Sequence, residues 1–201
     1  MNEPIAAVIV GLLLSVSAGF RIMLPLLLVN VLAYEHVIAL PSNLAWLGSD
    51  ATLLVLIVAT AAETIVHFVP AAGTYLKAAA TPLAFVAGTL LMAVPLGNQN
   101  PLYQWTLAAV IGGGTATLTH LGVTGLRALT GPVNLASAGT FGIAWNLAEI
   151  FGSVLLAALG WVCLVVGWLI GAVVLVVLAG LLIYIAVQGI VRFRREAVVT
   201  T

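Results

Sequence analysis

The sequence predicts an all-α integral membrane protein of about six transmembrane helices. Three observations carry that expectation. Of 201 residues, 63% are hydrophobic and only 6% are charged, where a soluble domain carries about 25% charged residues. The apolar runs are long and continuous, as suits helices of ~20 residues crossing a bilayer, and they lack the alternation of a membrane β-barrel. The few charges inside those runs recur at helical spacing, so each helix confines them to one narrow face.

Segment one covers residues 5–34, and Arg21 is its only charge. An arginine at a helix centre costs roughly 2.5–3.5 kcal/mol on insertion scales, so it should face protein, water or a carboxylate. Gly19 and Pro25 flank it and mark a break. Ser15-Val16-Ser17-Ala18-Gly19 is weakly cleavage-like. Glu3 precedes it without any Lys or Arg, however, and the apolar run continues past it, so it reads as a span and not a signal peptide. A polar loop with Glu35, His36, Pro41, Ser42, Asn43 and Asp50 follows.

Segment two covers 51–69, with Glu63 and His67, and Pro70-Ala71-Ala72-Gly73 stops it. Segment three covers 78–96, after Lys77, with Pro82 near its start. Gly97-Asn98-Gln99-Asn100-Pro101 forms a turn into segment four, 102–129, which Gly112-Gly113-Gly114 interrupts. Pro132-Val133-Asn134 opens the next loop. Between Ser137 and Val187 the only charge is Glu149, and division near Gly160 gives segment five, 139–159, and segment six, 163–187.

Residues 1–196 are thus one transmembrane domain with half-repeats of about 1–100 and 101–196, and 197–201 form a short cytoplasmic tail. Arg192, Arg194 and Arg195 place both termini in the cytoplasm of a cell (inner) membrane protein. Lys77 and Arg127 then lie at cytoplasmic ends, with Glu35 and Asp50 outside. A re-entrant first segment would put Lys77 outside, so one broken span is preferred.

The halves echo each other. Gly19-x-Arg21 precedes Pro25, and Gly125-x-Arg127 precedes Pro132; Ala62-Glu63 answers Ala148-Glu149. Three spans per half would make this a 3+3 inverted repeat with broken first and fourth segments, a pointer to a midplane binding site in transporters.

Four polar stripes define the candidate site: Ser17 and Arg21; Thr60, Glu63 and His67; His120, Thr124 and Arg127; Asn146, Glu149 and Ser153. Arg21 and Arg127 suit an anionic or polar solute or a lipid phosphate. Glu63 and Glu149 suit proton or cation coupling. The alternative for all four is a set of buried ion pairs that lock the helices. His67 and His120 suit hydrogen-bonded packing better than a metal, since three scattered ligands with Glu63 do not make a site. Gly112-Gly113-Gly114 lacks the Lys-Ser/Thr of a phosphate loop and suits close packing or a helix break.

No nucleophile–base–acid set stands out, so no enzyme activity is expected, nor any metal or cofactor. The formal net charge of zero gives no reason to expect nucleic acid. The single cysteine, Cys163, excludes an internal disulfide. Trp46, Trp105, Trp161 and Trp168 fall near span ends as interfacial anchors do. The expected partners are membrane lipids, a small ionic solute and a second copy of the chain, with the Gly/Ala-rich third and sixth segments as interfaces.

The order of short motifs resembles the domain of unknown function 4126, a family of uncharacterised bacterial and plant membrane proteins. It runs Ala18-Gly19-Phe20-Arg21, Leu24-Pro25, Trp46-Leu47, Glu63 and Pro70, then Pro82-Leu83-Ala84 with Gly88. Gly112-Gly113-Gly114 with Thr119-His120, Arg127, Pro132-Val133-Asn134 and Glu149 complete it. The chain departs from the family pattern at Ile150, where an acidic residue is common, and in lacking an acidic residue soon after Pro70. The resemblance implies an architecture and no activity. The expected function is therefore argued from the stripes: a small membrane transporter or channel with intramembrane Arg/Glu pairs. The alternative is a lipid-handling or structural membrane protein whose charges only pair helices.

Overall fold

A computed structural model describes the backbone of residues 4–68, 73–130, 137 and 139–166, and the side chains of 5–66, 79–130, 137 and 139–160. Segment six beyond residue 166, the terminal arginines, Pro70, Pro132 and the side chains of His67 and Lys77 lie outside this set. The described residues form helices and no strands: α1 (Pro4–Phe20), α2 (Met23–Tyr34), a 3₁₀ helix (Ser42–Gly48), α3 (Asp50–Phe68), α4 (Gly73–Ala93) and α5 (Pro101–Leu107). A π-helical turn (Ala108–Gly113), α6 (Gly114–Leu129) and α7 (Thr140–Val166) complete them.

The break between α1 and α2 follows from Pro25. Its ring lacks an N–H and would collide with the carbonyl four residues back, which belongs to Arg21. The helix stops at Phe20 and restarts at Met23, so Pro25 falls in the first turn of α2, where a missing donor is tolerated. The other end of α2 is closed by His36 at φ 55°, with His36 N–H donating to the Ala33 carbonyl and Val37 N–H to Leu32.

The expected interruption at Gly112-Gly113-Gly114 is not a break. The chain widens into the π turn and continues, so Pro101–Leu129 is one helical rod of 29 residues. Glycine permits the wider turn, and the packing uses it. A Cβ on Gly112 would lie 2.6 Å from the Gly88 carbonyl oxygen, so α4 and the π turn meet at backbone contact. The expected division at Gly160 is also absent, because α7 passes through it. Nothing polar or proline-like stops the helix there, and Gly160 packs on Leu13 and Leu14 of α1. α5 starts as its sequence dictates, with Pro101 at the first position and the Asn100 side chain accepting the Leu102 N–H at 2.9 Å.

α1 is the centre of the bundle, packed against α4, α6 and α7. Its Val10, Leu14, Ser15, Ser17 and Ala18 are fully buried. Ser15 Oγ donates to the Gly88 carbonyl of α4 at 2.9 Å, and Ser153 Oγ of α7 donates to the Ser17 carbonyl at 3.0 Å. These are the small and hydroxyl residues that join helices where lipid gives no hydrophobic drive. At one end Asn30 donates to the Leu47 carbonyl, and Gln104 ties Asn43 to the Ala93 carbonyl.

The outer faces carry exposed Leu54, Val55, Ile57 and Val58 on α3, Leu118 and Leu121 on α6, and Phe151 and Leu155 on α7. Apolar surface on this scale is foreign to a water-soluble monomer. Pro101–Leu129 and Thr140–Gly160 are long and apolar enough to cross a membrane; a third span results if Ser42–Gly48 and Asp50–Val66, bent by 59°, count as one.

Candidate functional site

All four stripes contribute a residue where α1 ends: Arg21, Glu63, Arg127 and Glu149. Arg21 sits in the α1–α2 break with its own N–H donating to the Ser17 carbonyl at 3.2 Å. Its side chain is 1% exposed, the most deeply buried charge described. Arg127 comes from the last turn of α6, where a cation complements the helix dipole. Asn146 and Glu149 come from α7, three residues apart and both buried.

Glu149 is the hub. Arg127 grips it with both arms of the fork, Nε to Oε1 at 2.7 Å and Nη2 to Oε2, and Nη2 also reaches Asn146 Oδ1 at 2.6 Å. Trp145 Nε1 donates to Glu149 Oε1 at 2.6 Å from one turn earlier. Arg21 Nε stands 3.9 Å from Glu149 Oε2, close enough to pair charges but too far for a hydrogen bond. Nε, Nη1 and Nη2 of Arg21 are all buried, with no hydrogen-bond partner among the described residues. Buried guanidinium donors are ordinarily satisfied, because each unmade bond to a charged group is costly.

Glu63 has a backbone role beside its charge interaction with Arg21. Its carboxylate accepts Ile22 N–H at 2.9 Å and Met23 N–H at 3.0 Å, capping the start of α2. α3 is thereby pinned to the break at the point where Pro25 leaves amides without helical partners. Thr60, one turn earlier, has a buried hydroxyl without a hydrogen-bond partner among the described residues.

The remaining residues fall elsewhere. His120 is half-buried on α6, and no hydrogen bond or ion pair joins it to the cluster among the described residues. His67 lies on α3, its side chain outside the described set. Gly19 lies in the last turn of α1, against Ala116 and Thr119 of α6. Gly113 abuts Phe85 and Thr89 of α4, and Gly114 faces open space. No group of three metal-ligating side chains occurs among the described residues.

Sequence reasoning missed Trp145, whose only signal was its i, i+4 spacing to Glu149. It also missed the Ile22 and Met23 amides, which side-chain patterns do not reveal. An open surface cleft lined by Tyr34, His36, Ser49 and Asp50 is a separate feature and includes none of the cluster.

Fold and site together define a helical membrane protein with a buried arginine–carboxylate cluster at a broken helix. The chain belongs to the DUF4126 family, a domain of unknown function whose match covers residues 8–187. No curated protein and no solved structure shows a recognisable match to it.

Proposed function

We propose that the protein is a small multi-pass transporter or channel for a small ionic or polar solute, with its solute site at the Arg21–Arg127–Glu149 cluster. One observation carries this reading: Arg21 is buried at a helix break, and its three guanidinium nitrogens have no hydrogen-bond partner among the described residues. A cation that only locked helices would have its donors filled, as those of Arg127 largely are. Intramembrane ionisable groups at discontinuous helices commonly mark solute pathways. The full reading has six crossings, a 3+3 inverted relation between halves, both termini in the cytoplasm and residence in the inner membrane.

A structural or lipid-handling role is the second reading. It draws on the saturated Arg127–Glu149–Asn146 set and on Glu63 serving as a helix cap.

A thermal-shift screen of purified protein against ions, organic anions and lipids, beside Arg21→Gln, separates the two. A ligand at a hundredfold excess over its dissociation constant stabilises the native state by about 2.7 kcal/mol. A hit that Arg21→Gln abolishes supports a solute site. Absence of any hit, with a large loss of stability in the variant, favours the structural reading.

A further inference from the structure

The break holds a carboxylate already, and it belongs to the chain. Glu63 Oε1 accepts Ile22 N–H at 2.9 Å and Oε2 accepts Met23 N–H at 3.0 Å. These amides are available only because Pro25 keeps α1 from running into α2. α2 has 12 residues, so its start carries the partial positive charge of a helix N-terminus. Arg21 adjoins it in sequence, with Glu63 and Glu149 both in electrostatic reach of its guanidinium. Neither carboxylate accepts a hydrogen bond from it. The oxygens of Glu149 are engaged by Arg127 and Trp145, and those of Glu63 by the two amides.

The geometry therefore combines two amides that grip a carboxylate with a buried planar fork that has no hydrogen-bond acceptor among the described residues. A guanidinium fork matches a carboxylate in shape and charge. The present occupant comes from α3, whose contacts among the described residues are mainly with α2 and the 3₁₀ helix, while its Leu56 joins the central core.

We propose that the α1–α2 break binds a small monocarboxylate through the Ile22 and Met23 amides and the Arg21 guanidinium, and that the Glu63 side chain is the internal occupant which the solute displaces. The inference rests on the solute-site reading above and gives it a substrate class. It also gives a coupling device. Displacing Glu63 removes the two hydrogen bonds by which α3 holds the start of α2, so binding frees α3 to move.

The test is acetate binding to the full-length protein in detergent, read as a dose-dependent thermal shift against sodium chloride at equal ionic strength. An internal competitor lowers apparent affinity by the fraction of time it leaves the site open. Glu63→Gln, which keeps one acceptor for the amides, is expected to tighten acetate binding by about tenfold. Arg21→Lys, which keeps the charge and loses the fork, is expected to weaken it by about tenfold. A folded Glu63→Gln protein whose acetate affinity is unchanged or weaker overturns the proposal. If Glu63→Gln does not fold, Arg21→Lys decides: an acetate response equal to that of the parent overturns it, and a weakened one supports it. Acetate flux into proteoliposomes separates the two layers. Binding with the expected Glu63 dependence but no flux keeps this inference and removes the carrier reading. Flux with no Glu63 dependence of affinity does the reverse.

Discussion

Replacing Glu149 by glutamine probes the electrostatic logic of the cluster. The carboxylate is 4% exposed and joins three partners: Arg127, Trp145 and, at 3.9 Å, Arg21. Glutamine keeps the shape and one acceptor, so the change removes mainly charge. At an effective dielectric of about 20, a unit pair at the 3.9 Å Arg21 separation is worth roughly 4 kcal/mol. The burial cost of Arg21 remains when that attraction is gone. Unpairing a buried ion generally costs about 3–5 kcal/mol, and Glu149→Gln is expected to fall in that range. Arg127→Gln should cost less, about 1–2 kcal/mol, because surface exposure screens an ion pair. Its side chain is 30% exposed, and Glu149 would still have Trp145 and Arg21. Both variants and the double variant would be unfolded by SDS titration and followed by tryptophan fluorescence, which yields the pair's coupling energy. A Glu149→Gln protein within about 0.5 kcal/mol of the parent would refute the reasoning, as would a larger loss for Arg127→Gln.

Two further predictions concern packing. Gly112→Ala should destabilise by about 1–3 kcal/mol, since its Cβ meets the Gly88 carbonyl at 2.6 Å and Met92 Cγ at 3.0 Å. Gly114→Ala, two residues on, meets nothing within 4 Å and should be neutral or stabilising by up to about 1 kcal/mol. Equal melting shifts for the two would contradict the backbone contact between α4 and the π turn. Ser153→Ala should cost only about 0.6 kcal/mol, the usual worth of an interhelical hydrogen bond in a membrane. A loss several times larger would mean that the Ser17 carbonyl depends on that donor more than its 3.0 Å bond implies.

Much of the site was legible because charge is scarce in this chain. Arg21, Arg127, Asn146 and Glu149 could be singled out from spacing alone, and the structure brings them together. The helix break was legible for a local reason, since Pro25 forbids a helical bond to residue 21. Partner choice was not. The four stripes offer two arginines and two glutamates; Glu149 meets both cations, while Glu63 accepts the Ile22 and Met23 amides beside Arg21. Which carboxylate reaches which donor depends on how α3 and α7 dock, and a one-dimensional stripe does not encode that. The glycine run misled for a related reason. Three glycines lower the cost of leaving the helix, but close packing on Gly88 favours a widened helix over a break. Gly160 likewise reads as a boundary only when its packing on α1 is unknown.

The decisive measurement is solute flux through proteoliposomes holding the full-length protein or Arg21→Gln, with both proteins first shown to be folded by a cooperative thermal transition. A small carboxylate should pass with the parent and not with the variant, because the proposed function assigns the Arg21 guanidinium the task of drawing the solute into the break. Equal flux in the two would contradict a solute pathway through Arg21, and no flux in either across carboxylates, inorganic anions and cations would contradict the transporter or channel reading.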